Sequence, residues 1–304
     1  MARRVLIAAV LCSLAAACTL GPDYQRPPIA TPEGWRQAAA AEASIANLPW
    51  WELFQDEQLQ SLIRTALAEN RDLKIAIERI EEARATYGYS RADLYPKIDA
   101  SATAGSLQFS GGSLTHTPEG GVDTSMERYG LDVGLSWELD FFGRIRRANE
   151  AELANLLATE EARRAVAIAV VANVARAYVE LRDLDWRLEI TRRTLESRRE
   201  YLGLARDRFE GGLTPELDSR QAEAEMYRVQ SYVFQLEGLV AQKENEISYL
   251  LGRNPSAVPR GRAVGAQPIP PEVPAGLPAA LLERRPDVRQ AEEQLISANA
   301  RIGE

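Results

Sequence analysis

The residue with the clearest chemistry in this sequence is a cysteine near its start. Cys18 directly follows Leu-Ala-Ala-Ala at residues 14–17. This is the pattern of a lipobox, in which the cysteine sulfur carries a diacylglyceryl group and the chain is cleaved before the cysteine. Two arginines precede the apolar residues 5–17, a stretch too short to span a bilayer but suited to a secretory signal. We therefore predict a signal peptide over residues 1–17 and a covalent lipid on Cys18; the alternative is an ordinary signal followed by a chance cysteine.

Few other side chains could support catalysis or metal binding. The 304 residues include only two cysteines and one histidine, and Cys12 would leave with the signal peptide. A disulfide framework, a zinc cluster and a cysteine–histidine pair are therefore excluded, and no carboxylate pair, nucleophile or phosphate-binding loop stands out. We expect no enzymatic activity, no metal and no cofactor apart from the lipid on Cys18. The lone His116 is not expected to be a ligand.

The charge balance excludes a further class of partner. Forty-four acidic residues outnumber 36 basic ones, for a net charge of -8 at pH 7. Nucleic-acid affinity comes from Lys and Arg that neutralise phosphates, so we expect no nucleic acid as a partner. Hydrophobic residues at 45% and charged residues at 26% exclude global disorder.

The segment after the signal, residues 18–55, is predicted to be irregular and anchored by its lipid. It is rich in proline and ends in the aromatic residues Trp50, Trp51 and Phe54. Lipoproteins that are kept at the inner membrane have aspartate directly after the lipidated cysteine. This chain has Thr19 at that position. We therefore expect the protein to be lipid-anchored at the outer membrane and to extend into the periplasm.

Residues 56–95 are predicted to form a helix, because their apolar residues recur at helical spacing. Pro96 would stop that helix. The run Asn70-Arg71-Asp72 near its middle could mark a break, with Asn70 or Asp72 capping the second part.

Residues 97–140 change to a period of two, which predicts a β-hairpin. The segment 97–109 alternates weakly and 129–139 strictly, on either side of a loop rich in Gly, Ser and Thr. Eleven tilted residues rise about 27 Å, close to the ~25 Å apolar band of an outer-membrane barrel. The predicted lipid-facing residues are Tyr129, Leu131, Val133, Leu135, Trp137 and Leu139. Asp132 and Glu138 would face a lumen and favour cations there; a half-buried soluble strand with solvated acids is the alternative.

Residues 144–252 are predicted to form a long antiparallel helical hairpin. Apolar residues recur every seven positions from Val174 to Phe209 and, with the one polar exception of Lys243, are spaced four and three apart from Ala222 to Leu250. Such a 3.5-residue period is typical of coiled-coil partners. At the turn, a glycine of the Gly211-Gly212 pair can take the left-handed conformation past a helix end, Thr214 suits an N-cap and Pro215 a first helical position.

The last part of the chain suggests a repeat. A proline-rich connector over residues 253–281 leads into residues 282–304, whose Leu282, Asp287 and Ala291 align with Leu67, Asp72 and Ala76. We expect residues 282–304 to be the start of a second copy of the first unit, truncated within its opening helix.

Three motifs resemble one protein family. Residues 51–59, Trp-Glu-Leu-Phe-Gln-Asp-Glu-Gln-Leu, resemble the N-terminal part of the TolC-type outer membrane factors. Residues 137–144, Trp-Glu-Leu-Asp-Phe-Phe-Gly-Arg, are similar to the strand-to-helix junction of the OprM- and NodT-like efflux lipoproteins. Residues 281–288, Leu-Leu-Glu-Arg-Arg-Pro-Asp-Val, are similar to the signature that opens the second repeat of that branch.

The resemblance implies a mainly α fold with one membrane β-hairpin. In that family, long coiled-coil-like helical hairpins form a periplasmic α-barrel, and each protomer of a homotrimer adds strands to a shared outer-membrane β-barrel. The conduit meets a periplasmic adaptor (membrane fusion) protein and an inner-membrane efflux pump, and drugs or other small molecules leave through it. Gly212, Leu213 and Thr214 resemble the family's hairpin tip, where the adaptor docks; a well-capped turn is the alternative for these residues.

Two other functions stay open on the sequence alone. The same architecture could serve secretion of another cargo, or the heptads could belong to a non-channel periplasmic structural lipoprotein. The strict alternation of residues 129–139 argues against the latter, because a spacer needs no lipid-facing strand. The family continues with a second β-hairpin and helix pair, so we expect this chain to be a fragment that cannot close a barrel by itself.

Overall fold

The computed structural model describes residues 19–28, 54–109, 124–263, 265 and 283–304. Several features of the sequence lie outside these residues. They are the signal peptide with Cys18, the aromatic residues Trp50 and Trp51, the loop that carries His116, and most of the proline-rich connector.

The described chain is mainly helical and has one pair of strands, as predicted. Its elements in chain order are α1 (Glu57–Glu69), α2 (Arg71–Ala92), β1 (Lys97–Phe109), β2 (Thr124–Ser136), α3 (Arg144–Glu210), α4 (Glu216–Leu250), α5 (Pro286–Ala300) and a 3₁₀ turn (Arg301–Gly303). The first residues of α2 and α5 are separated by the same number of positions as Asp72 and Asp287, which the repeat aligns. Among the described helices, none is both long enough and apolar enough to cross a membrane.

Contacts divide the chain into two units, which we describe separately. The hairpin unit comprises the chain up to Arg26, Glu82–Leu156 and Glu293–Glu304. The helical unit comprises Pro27–Glu81 and Leu157–Glu292.

In the helical unit, the predicted first helix is two helices separated by Asn70. The backbone of Asn70 leaves the helical region at ψ 132°, and its side-chain Oδ1 accepts a hydrogen bond from the Leu73 amide at 2.9 Å. Its Nδ2 donates to the carbonyl of Leu250 at 2.8 Å. Asn70 therefore caps α2, as one of the two predicted alternatives had it, and also bonds the end of α4.

The core of the helical unit joins α1 to the middle of α3 and the end of α4. Ile63, Ala66, Val174 and Ile247 are fully buried there. The stripe that defined α1 in the sequence is therefore the face packed in the core. The buried residues of this cluster are Leu59, Leu62, Ile63, Ala66, Val170, Val174, Ala175, Ala177, Tyr178, Leu181, Ile247, Leu251 and Val258.

A second cluster forms the predicted seam between α3 and α4. Its buried members are Leu188, Leu195, Leu202, Ala205, Ala222, Met226 and Val233. These residues follow the 3.5-residue period, so the coiled-coil interpretation is confirmed. Phe209 continues the heptad in the sequence but is exposed, because α3 ends one residue later and leaves it without a facing turn.

Both ends of the α3–α4 pair close in the same way. At the end of α3, Leu213 N–H bonds the carbonyl of Arg208 and Gly212 N–H bonds that of Phe209, each at 2.9 Å, with Gly212 at φ +69°. This is a Schellman motif, in which a left-handed glycine satisfies the last carbonyls of a helix. Gly252 repeats the motif after α4, also at φ +69°.

The predicted start of α4 is shifted by one residue. Pro215, not Thr214, is the N-cap, and it makes no side-chain capping bond. The hydroxyl of Thr214 is buried without a hydrogen-bond partner. Pro215 has an extended ψ of 153°, which places it outside the helix.

In the hairpin unit, β1 and β2 pair antiparallel along their full length. Ile98 lies opposite Leu135, Ala102 opposite Leu131 and Ala104 opposite Tyr129. Opposed residues share a face of the sheet, so the weakly alternating small residues of β1 lie beside the apolar residues of β2.

Candidate functional site

One face of the strand pair is apolar and open. Four of the predicted lipid-facing residues lie on β2 with exposures of 72–79%; they are Tyr129, Leu131, Val133 and Leu135. Their partners on β1 are Ile98 and three alanines. Four large apolar side chains in a row on an exposed strand face indicate a surface that another apolar phase covers.

The opposite face of the pair is small and polar in its middle, between Lys97 at one end and Arg128, Leu107 and Met126 towards the other. It carries Asp132 beside Ser101, and Gly134 beside Asp99. A Cβ at Gly130 would lie 2.8 Å from the hydroxyl of Thr103, so a side chain there would have to displace that hydroxyl. The predicted lumen-facing Asp132 therefore has a second carboxylate, that of Asp99, on the same face.

Strand β2 ends before the alternating pattern in the sequence does. Trp137, Glu138 and Leu139 lie beyond the end of β2 at Ser136, so their placement on the strand was wrong. Trp137 Nε1 donates to the carbonyl of Leu94 at 3.2 Å, and Glu138 forms a bidentate ion pair with Arg144 through two 2.9 Å bonds. Both side chains bond residues outside the strand pair, and Glu138 lies beyond the strand that holds Asp132.

A clamp holds the segment that follows Cys18. The guanidinium of Arg147, whose side chain is almost fully buried, bonds Asp23 at 2.7 Å and Glu150 at 2.7 Å. It also donates to the carbonyls of Leu20 at 3.4 Å and Gly21 at 3.3 Å. Burying a cation is unfavourable unless it is paired and hydrogen-bonded, and here four acceptors compensate it.

Two glycines allow the segment after Cys18 to pack closely against the residues around it. Gly143 has φ +85°, and a Cβ there would lie 2.7 Å from Thr19 Cγ2. On the other side, a Cβ at Gly303 would lie 2.3 Å from the carbonyl oxygen of Leu20. The Leu20 amide bonds the carbonyl of Phe142 at 2.9 Å, so the chain next to the predicted lipid site is fixed at the start of α3.

The tip of the helical hairpin presents one apolar side chain. Leu213 is 75% exposed, and its neighbour Gly212 has open space around its Cα. The two other tip residues serve the turn: Gly212 ends α3, and Thr214 precedes the cap of α4. Leu213 is therefore the residue of the predicted docking tip that is free to meet a partner.

A buried polar node in the helical unit was not predicted from the sequence. Asp56 is 2% exposed and Tyr178 is 1% exposed. Asp56 caps α1 by accepting from the amides of Gln58 at 2.9 Å and Leu59 at 3.3 Å. The hydroxyl oxygen of Tyr178 accepts a hydrogen bond from the amide of Gly261 at 2.8 Å. Burial raises the pKa of Tyr178.

The same node fixes the first part of the connector. A Cβ at Gly261 would lie 2.3 Å from Asp56 Oδ1, and Arg260 binds both carboxylate oxygens of Asp185 at 3.0 and 3.1 Å. The sequence analysis did not single out Asp56 as a cap, and its partners Tyr178 and Arg262 lie more than a hundred positions away in the chain.

The described chain thus combines an open apolar strand face with a coiled-coil helical hairpin. The profile of the outer membrane efflux protein family matches residues 62–253, and the chain belongs to that family. Membership confirms the resemblance to the TolC-type factors and the expected outer-membrane location. It also makes this a member of a transport family and not of an enzyme family.

Named relatives agree with this assignment. The chain is 36% identical over 311 residues to the probable efflux pump outer membrane protein TtgC of Pseudomonas putida, covering all of this chain and 63% of that protein. It is 34% identical over 295 residues to the probable outer membrane lipoprotein SilC of Salmonella typhimurium, covering 95% and 62% of the two. The chain therefore spans less than two thirds of the length of these relatives.

A solved structure gives the same result for the fold. The outer-membrane channel OprN is similar with a TM-score of 0.76 and 31% identity, covering 94% of this chain and 64% of the channel. The described elements therefore correspond to those of an outer-membrane channel.

Proposed function

We propose that this chain belongs to the outer membrane channel subunit of a tripartite efflux system. The subunit would assemble as a homotrimer, contribute β1 and β2 to a shared outer-membrane β-barrel, and export drugs or other small molecules. The observation that supports this most directly is the strand pair. One of its faces is open and apolar, while the other holds Gly130, Gly134 and two aspartates.

Alternating accessibility tests the proposal. Leu131→Cys and Asp132→Cys are labelled with an environment-sensitive fluorophore in protein expressed from its own gene and reconstituted into phospholipid vesicles. We expect lipid-borne quenchers to act on position 131 and aqueous iodide on position 132, because adjacent strand residues face opposite sides. Equal quenching of both positions by iodide alone would contradict the proposal. Stepwise conductance in planar bilayers then tests for the channel itself.

The polar face would give the conduit a preference for cations. Asp99 and Asp132 lie on that face one step of the ladder apart, and rings of acidic side chains favour cations in pores. Asp132→Asn should move the reversal potential in a salt gradient toward zero. Glu138→Gln serves as the control, since Glu138 is paired with Arg144 and lies off the strand; an equal effect of both variants would argue against a specific role for Asp132.

We propose that the helical tip docks a periplasmic adaptor protein, which in turn joins an inner-membrane pump. The proposal rests on Leu213, which is 75% exposed at a turn whose backbone bonds are already satisfied. Leu213→Asp should reduce in vivo cross-linking to the adaptor and leave trimer yield unchanged, whereas Leu213→Met should retain both. Loss of trimer in Leu213→Asp would show that the residue is structural instead.

The lipid anchor remains our proposal as well. Its support is the lipobox-like run at residues 14–18, together with the clamp that fixes the segment from Leu20 to Asp23 beside the start of α3. Intact-protein mass spectrometry should show the diacylglyceryl mass in the unsubstituted protein and its loss in Cys18→Ala. An unlipidated mass for the unsubstituted protein would refute the anchor.

A further inference from the structure

Two ion pairs join α3 to α4 along one side of their seam. Arg192 pairs with Glu237 and Arg206 pairs with Glu223, each at 2.7 Å. The two arginines are two heptads apart on α3, and the two glutamates are two heptads apart on α4. In an antiparallel pair with a 3.5-residue period, a step of seven residues along each helix returns to the same side of the seam. The two pairs are therefore rungs of one ladder.

The same step of seven residues defines a rung between these two and another beyond them. The middle rung consists of Arg199 and the neutral Gln230. The rung beyond, nearer the end of α4, consists of Asp185 and Glu244. Three rungs thus have an arginine on α3, whereas this fourth rung has an acid on both helices. Two like charges that face each other across a seam oppose its closure.

A cation from outside the two helices joins the acids of the fourth rung. Arg260, in the connector, bonds the two carboxylate oxygens of Asp185 at 3.0 and 3.1 Å, and its Nη1 pairs with Glu244. Each of these three side chains is less than a third exposed. Charges that are partly shielded from water require partners, and a guanidinium can bridge two carboxylates because its donors lie on separate nitrogens.

Two neighbouring cations do not make this bridge. Arg182 bonds Asp185 at 2.9 Å, within α3. Lys243, the polar residue of the seam, pairs with glutamates other than Glu244. In the ion pairs of the described residues, Arg260 is therefore the cation that contacts both acids of the fourth rung.

The connector is docked at the same level of the hairpin. The amide of Val258 donates to Glu244 at 3.1 Å, and the Val258 residue is 5% exposed in the core of the helical unit. Glu244 therefore binds the connector through its backbone as well as through Arg260. The side chain that completes the ladder belongs to the segment that packs beside it.

We propose that Arg260 is a latch, by which the hairpin closes at the fourth rung only when the connector is docked. With the connector in place, its guanidinium neutralises the two facing acids. Without it, Asp185 and Glu244 repel each other and the helices separate at this level. An arginine on α3 closes the rungs at positions 192 and 206 without help. The acid at position 185 instead makes the hairpin depend on the connector, and so fixes the place where the chain leaves the hairpin.

Amide hydrogen exchange of the purified protein tests the latch. In Arg260→Gln we expect exchange to accelerate about ten-fold or more in residues 256–262 and also in the helical turns around positions 185 and 244, because a shielded ion pair has lost one partner. Arg192→Gln is the matched control. It removes an ordinary rung and should leave exchange in residues 256–262 unchanged.

A second substitution separates the latch from a simple contact. Asp185→Arg combined with Arg260→Gln supplies the missing cation from α3. Exchange in the helical turns should then return to within about two-fold of the unsubstituted protein, while residues 256–262 stay as fast as in Arg260→Gln. If the arginine at this position prevents folding, Glu244→Gln combined with Arg260→Gln replaces it. That variant removes one of the facing charges, makes the rung neutral on α4 as Gln230 does, and should slow exchange in the turns relative to Arg260→Gln alone.

The outcomes are distinct. Helical turns that exchange at the unsubstituted rate in Arg260→Gln would overturn the latch and leave Arg260 as a contact of the connector alone. Turns that stay as fast in both double variants as in Arg260→Gln would also overturn it, because repulsion between the acids would then not be what opens the helices. Recovery of the turns in either double variant, with the connector still fast, would support the latch.

Discussion

Tyr178 donates a hydrogen bond to Oδ2 of Asp56 at 3.2 Å, across 122 positions of the chain. The same carboxylate accepts the amide of Arg262 at 3.2 Å. One buried side chain therefore caps α1, bonds α3 and fixes the first residues of the connector. Asp56 links three segments that the sequence separates widely.

Removing that carboxylate should destabilise the fold. Asp56→Ala loses the N-cap of α1 and leaves the Tyr178 hydroxyl and the Arg262 amide without their acceptor, a cost of about 2–4 kcal/mol. Thermal unfolding followed by circular dichroism measures the effect. Glu57→Ala, at the exposed neighbouring position, should stay within about 0.5 kcal/mol of the unsubstituted protein. Equal stability of the two variants would contradict the proposed role of Asp56.

The decrease in the free energy of unfolding at high pH should depend on Tyr178. Burial raises the pKa of Tyr178 above its ordinary value, so the folded state favours the protonated phenol. Its stabilising effect is complete below the unfolded tyrosine pKa of about 10 and is lost as the pH rises through the folded pKa. The free energy of unfolding of Tyr178→Phe should therefore fall less steeply above pH 10. Tyr227→Phe, at an exposed position of α4, is the matched control, and parallel curves for Tyr178→Phe and the unsubstituted protein would refute the prediction.

Gly252 should not tolerate alanine. It has φ +69°, and a Cβ there would lie 2.4 Å from the carbonyl oxygen of Glu69. The left-handed conformation alone costs a residue with a Cβ about 1–2 kcal/mol, and the contact adds to that. Gly238→Ala lies inside α4 with nothing within 4 Å and should gain about 0.5–1 kcal/mol. Melting temperatures that shift in the same direction would disprove this contrast.

Arg147 should control the order of the N-terminal segment. Arg147→Ala removes the donors to Leu20 and Gly21 and the pair with Asp23, so amide exchange over residues 19–24 should accelerate about ten-fold. Hydrogen–deuterium exchange of the purified protein measures this. Arg146→Ala removes only the exposed pair with Asp140 and should leave the segment protected. Unchanged exchange in Arg147→Ala would mean that the two glycine contacts suffice to hold the segment.

Local patterns predicted most of the elements because each of them depends on neighbours in the chain. The heptads of α3 and α4 indicated the seam, and the glycine pair at 211–212 indicated the end of α3. The alternation in β2 predicted the strand but placed its end too late. Trp137 keeps the period in the sequence, whereas its indole bonds Leu94, 43 positions earlier, and no local pattern reports such a bond.

The sequence by itself determined the amphipathic faces and most helix ends, because side-chain periodicity and turn chemistry act over a few residues. The class of protein was indicated by the resemblance of three motifs to one family. Only the tertiary structure decided which polar groups share a site. Asp56 bonds Tyr178, Arg147 pairs with Asp23 across 124 positions, and Arg253 pairs with Glu69 across 184. Such pairs form because a buried or bridging polar group must find a partner once the helices have packed, and packing brings together residues with no fixed spacing in the chain.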